Sequence, residues 1–125
     1  MLDSRIVQLL EDAVNTSCKL ALVLLYAEHS GFVVTPEQLA LRLSRDPWSV
    51  DSAIRELARD GILDVCDGRI IYHPQPRWVA GLQELRIAYD DPYDRDTINH
   101  LARDLQNYAP YREELGLRQI TVNAF

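Results

Sequence analysis

The sequence predicts a single, mainly α domain that carries one small β-hairpin. Three observations lead there. Apolar residues recur at three- and four-residue spacing through most of the chain, as on the buried face of a helix. Proline and glycine stand where helices begin and end, as in Thr35-Pro36, Asp46-Pro47 and Gly61. Two β-rich runs, 62–66 and 69–73, flank Asp67-Gly68, a pair that favours a tight type I′ turn.

A first helix follows from Ile6, Leu9, Leu10, Ala13 and Val14, with Arg5, Glu11 and Asp12 between them. Asn15-Thr16-Ser17 breaks it and offers capping side chains. A second helix runs from about Cys18 to His29. Its segment 20–25 is apolar on all sides, so it should be buried all round. Ser30-Gly31 stops it, and Phe32-Val33-Val34 reads as a short β-like link. Thr35, Pro36 and Gln38 spell an N-cap, a first-turn proline and a capping box, with Leu39, Ala40 and Leu43 inward. Ser44-Arg45-Asp46 is a three-residue turn. Asp46 then caps a helix with Pro47 in its first turn, and Val50, Ala53, Ile54, Leu57 and Ala58 give that helix its apolar face. Gly61 ends it in a left-handed conformation, and the hairpin follows.

Pro74 and Pro76 close the hairpin and launch a helix with the stripe Trp78, Val79, Leu82, Leu85 and Tyr89. A last helix starts near Asp94 and carries Ile98, Leu101, Ala102, Leu105 and Tyr108; Pro110 is expected to break it. Residues 111–115 then read as a stub ending at Gly116, and 120–123 alternate as a short strand would.

Composition bounds the function. A chain of 125 residues with 47% hydrophobic residues can hold one core without disulfides or a metal. Cys18 and Cys66 have no zinc-like spacing. The longest apolar stretch, 20–27, is eight residues, too short for a membrane span, and the first residues show no signal pattern, so a cytoplasmic protein is expected. Thirteen basic against nineteen acidic residues give a net charge of −6. Each of the segments 1–34, 35–73 and 74–125 carries −2, and no basic arm exists to hold nucleic acid by charge alone.

The segment 39–63 is the informative one. It reads L-A-L-R-L-S-R-D-P-W-S-V-D-S-A-I-R-E-L-A-R-D-G-I-L, and its apolar spacing resembles the winged helix-turn-helix superfamily. With the apolar helix before it and two helices after it, the order is similar to regulators of the MarR type. The resemblance implies a winged helix-turn-helix with flanking N- and C-terminal helices: helices in 1–29, helix-turn-helix and wing in 32–73, and helices and tail in 76–125. One departure is Arg45, at a turn position that such families usually keep apolar.

The resemblance also implies a DNA-binding transcriptional regulator. The outward positions of the second motif helix, Trp48, Ser49, Ser52, Arg55 and Arg59, together with Arg45 and Arg69 of the wing, would then face double-stranded DNA. Asp51 and Glu56 oppose that, since they repel phosphate unless paired. Asp51 and Arg55 stand four apart, so a solvated face of ion pairs is the competing reading. Trp48 either packs on the preceding helix or marks a protein contact. Winged helices also serve as protein-interaction or assembly modules, so that function stays open beside the regulator.

Ile6, Leu10, Leu101, Leu105 and Tyr108 are expected at a two-fold homodimer interface, because the two outer stripes exceed what a small unit needs to bury. No catalytic, metal or cofactor motif appears. His29, His73 and His100 are scattered, and the acidic run 90–96 lacks the glycine and glutamate of a calcium loop.

Overall fold

The computed structural model describes the backbone of residues 2–123 and the side chains of residues 2–107. The order is α1 (Ser4–Asp12), α2 (Ser17–Glu28), α3 (Pro36–Leu43), α4 (Pro47–Arg59), β1 (Leu63–Cys66), β2 (Arg69–Tyr72), α5 (Pro76–Tyr89) and α6 (Pro92–Asn123). The fold is thus mainly α with one two-stranded antiparallel hairpin. No helix among the described residues is long and apolar enough to cross a membrane.

Local chemistry sets the boundaries. Asp3 caps α1 by accepting from the Arg5 amide, and Thr16 caps α2 by accepting from the Lys19 amide. At α3 the Thr35 hydroxyl accepts from the Gln38 amide while the Gln38 side chain accepts from the Thr35 amide, so two orphan donors are satisfied together. Asp46 accepts from both the amide and the hydroxyl of Ser49 and starts α4. Ser44, between the two helices, sits at φ 52° in the left-handed region, a conformation the sequence did not announce.

The end of α4 is built around Gly61. Its φ of +84° lets the chain turn into β1, and a side chain there would be both strained and pressed against Gln75. The exposed end of α4 is then taken up by α5: the Asp60 carbonyl accepts from Trp78 Nε1 at 2.6 Å and from Arg77 at 3.0 Å. The hairpin pairs Leu63 with Tyr72 and Cys66 with Arg69. Asp67 and Gly68 both have positive φ, as a type I′ turn requires. The β-like link contributes one bridge, Val34 to Ile70, so the hairpin is anchored to the segment that precedes α3.

The core gathers around α2. Leu20, Leu22, Val23 and Tyr26 are buried, with Leu39, Leu57, Ile62, Leu85 and Ile98 arriving from the other elements. The Tyr26 hydroxyl donates to the Ile70 carbonyl at 2.8 Å, and its ring stacks on Tyr72 at 5.8 Å. Burial pushes the Tyr26 phenol up to about 12 and raises that of Tyr72. α2 is not buried all round as expected: Ala21, Leu24 and Leu25 are only partly covered and line a groove with Leu43 and Tyr89.

One further expectation is corrected here. α6 does not stop at Pro110; the helix runs through it to Asn123, and neither the stub nor the short strand at 120–123 forms. An internal proline removes one backbone hydrogen bond, but the helix-favouring Arg, Glu, Leu and Gln residues that follow sustain the turns beyond it. The outer apolar stripes, in turn, are covered within a single chain. Ile6 and Leu10 are buried where α1 packs on α5 and α6, and Leu105 is buried where α6 packs on α2. α1 closes tightly on α5 at Gly81, where a Cβ would stand 3.4 Å from the Arg5 carbonyl oxygen. Leu101 is partly buried against the same core. The fifth interface position, Tyr108, lies outside the described side chains. Ile6, Leu10 and Leu105 are thus already shielded from water within one chain.

Candidate functional site at the corner of α3 and α4

The turn 44–46 and the first half of α4 bring most of the sequence-derived candidates to one corner of the molecule. Val50, Ala53, Ile54 and Leu57 turn inward, so Trp48, Ser49, Ser52, Arg55 and Arg59 are left on the solvent side. Trp48, in the first turn of α4, is 85% exposed, and Pro47 beside it leaves the ring projecting from the helix start. At that exposure the ring covers little of α3. Leu41, on the outer face of α3, is 80% exposed.

The arginines of this corner do not converge. Arg55 reaches Asp51 at 2.9 Å. Arg59 lies 4.0 Å from Glu56 and 3.5 Å from Asp60. Arg42 lies over the Phe32 ring, 4.6 Å from its centre. Arg45, at the turn position where an apolar residue was expected, points back toward α2; its guanidinium stands 3.5 Å from the hydroxyl and from the carbonyl oxygen of Ser17. The residue as a whole is solvent-exposed. Arg69 is exposed beside the hairpin tip and makes no ion pair among the described residues.

Trp48 divides two depressions. On one side a cleft of about 350 Å³ is lined by Ser17, Cys18, Arg45, Ser49, Ser52 and Glu56, with Gln106 of α6 at its edge. Gln106 accepts from the amide and hydroxyl of Ser17, which ties α6 to the start of α2. Burial raises the Cys18 thiol, partly offset by the nearby Arg45 charge. Asp46 is held below the usual carboxylate range, first by the Ser49 hydroxyl and then by the Ser49 amide. On the other side of Trp48 a smaller groove of about 240 Å³ is lined by Pro36, Glu37, Pro47 and Asp51.

Sequence reasoning missed the one lysine of the chain. Lys19 is 2% exposed, with its ammonium 2.9 Å from Asn15 Oδ1 and 3.2 Å from Glu56, beneath the floor of the larger cleft. Its place after the Thr16 cap and before an apolar run was the only available signal. Among the described residues no group of three or more His, Cys, Asp or Glu side chains is placed to hold a metal ion. His29 stacks on Phe32, and His100 Nδ1 lies 2.9 Å from the Asp96 carbonyl oxygen.

No protein-family model matches the chain, and neither a curated protein nor a solved structure matches it.

Proposed function

We propose that the chain is a winged-helix protein-interaction module, a binding unit and not an enzyme, whose contact surface is the corner formed by α3 and the start of α4. The helix, turn, helix and hairpin of 35–73, with the Val34–Ile70 bridge as a minimal third strand, support the winged-helix layout. The observation that carries the function is the pairing of the outer arginines of α4 with acids of their own helix end, while a tryptophan beside them stands bare.

Pair energies alone do not decide the matter. An exposed pair such as Arg55–Asp51 contributes only about 0.3–0.5 kcal/mol and would open readily toward a phosphate. The residual charge favours the interaction module. Even with every arginine redirected, seven acidic residues against five basic ones remain in 35–73, and Asp51 and Glu56 lie on the very helix that would enter the groove. A bare Trp is instead the kind of anchor that protein interfaces bury.

The second reading, a sequence-specific DNA-binding regulator, keeps specific support of its own. Ser49, Ser52 and Arg55 share the outer face of α4, and Arg69 is unpaired among the described residues. Selection from random duplex DNA at low salt separates the two. The interaction module leaves the pool unenriched. A recovered palindrome whose binding falls when Arg55 is replaced by Ala overturns it.

A further inference from the structure

The two depressions beside Trp48 differ in charge, and that difference selects a partner. In the larger cleft the Glu56 carboxylate is already met by Lys19 and approached by Arg59, and Arg45 is turned toward Ser17. The smaller groove is lined by two prolines, Trp48 and two acidic residues, Glu37 and Asp51, and by no basic residue. Asp51 already draws a guanidinium to itself, that of Arg55. Glu37 is exposed and has no basic partner among the described residues. An aromatic face beside an uncompensated carboxylate attracts a cation twice, through the ring quadrupole and through direct charge. Leu41 follows Glu37 by one turn on α3, so the same outer face supplies an exposed apolar contact next to the acidic one.

We infer that this groove docks a segment of a partner protein that presents an arginine or lysine beside an apolar residue. The cation lies on Trp48 between Glu37 and Asp51, and the apolar neighbour covers Leu41. The net charge of −6 works in the same direction, since it draws basic partners and repels acidic ones at a distance. This inference rests on the interaction-module reading and narrows it to one chemistry of partner.

The test is a display selection of short random peptides against the purified chain, run beside the DNA selection. Enriched peptides should carry Arg or Lys next to a large apolar residue. A synthetic consensus peptide should bind about tenfold more weakly to Trp48→Ala. It should bind about threefold more weakly to Glu37→Gln, with the difference shrinking as salt rises. Arg55→Ala should tighten binding, because it releases Asp51 to the incoming cation; a merely structural role for this corner would not produce that gain. All three positions are exposed, so thermal melts of the variants serve as the check that the fold is intact. Enrichment of acidic peptides, or of basic peptides indifferent to Trp48 and Glu37, overturns the groove and leaves the interaction module standing. An empty peptide selection beside a recovered DNA palindrome overturns both. An empty peptide selection beside an unenriched DNA pool overturns the groove alone.

Discussion

Leu10 on α1 and Trp48 on α4 are large apolar side chains on amphipathic helices, yet the first is sealed from water and the second is bare. The difference lies in what the rest of the chain can bring to each. α1 has α5 and α6 returning to pack on it late in the sequence, and its inward residues Ile6, Leu9 and Leu10 are buried. Trp48 sits in the first turn of α4, on the outer side of a corner whose inner side already holds α2 and α3. Among the described residues no later element covers the ring; α6 comes only as far as Gln106, at the edge of the neighbouring cleft. A stripe is therefore a statement about the core, whereas a lone aromatic at a helix start is a statement about solvent or a partner.

The contrast has measurable edges. The largest effect belongs to the sealed side. Leu10→Ala should lower stability by about 2–5 kcal/mol in urea denaturation, because the site lies inside the single-chain core. If Leu10 instead served a dimer contact, the loss would depend on protein concentration, and a concentration-independent loss excludes that.

Next comes the buried pair under the cleft. Lys19 is enclosed while Glu56 keeps a 40% exposed side chain, so the two partners are unequal. Glu56→Ala leaves a buried ammonium with only Asn15 and should cost about 2–3 kcal/mol. Lys19→Met leaves a carboxylate that can turn to water and to Arg59, and should cost less than that. Equal losses in the two melts would mean that water reaches Lys19.

Alkaline pH gives a comparable effect by another route. The folded Tyr26 phenol ionises near 12, above the usual 10, so its stabilising contribution is complete below pH 10 and is lost as pH rises from 10 through 12. The loss should approach about 2 kcal/mol, with Tyr72 shifting in the same direction, and Tyr26→Phe should flatten that slope. The smallest effect is at the bare corner. Trp48→Ala should change stability by less than about 0.5 kcal/mol. A larger loss would show that the ring packs on its own chain and would erase the contrast with Leu10.

The local devices of the fold are legible in the sequence, because each acts within a few residues. The Thr35–Gln38 box, the Asp46 cap, Gly61 and the Asp67-Gly68 turn are all where their chemistry puts them. What long-range packing decides is not legible. Ile6, Leu10 and Leu105 show an apolar stripe but not which surface covers it, and here α5, α6 and α2 do so. Lys19 looks like a surface cation until Glu56, 37 positions later, is brought beneath the cleft to meet it. Pro110 signals a helix end locally, yet the helix continues through it. At the candidate site the residue types are readable, and the pairing of Arg55 with Asp51 follows from their spacing. The direction of Arg45 is not readable, because Ser17 is 28 positions away.

The burial of Lys19 gives the molecule a chemical clock. It is the one lysine in the sequence, so amine-acylating reagents have a single ε-amine to find, and in the folded chain that amine is closed off by Asn15 and Glu56. Its modification must wait until α2 and α4 part. The rate at which mass is added at Lys19 therefore counts the openings of that one helix contact, separately from the fraying of the helix ends.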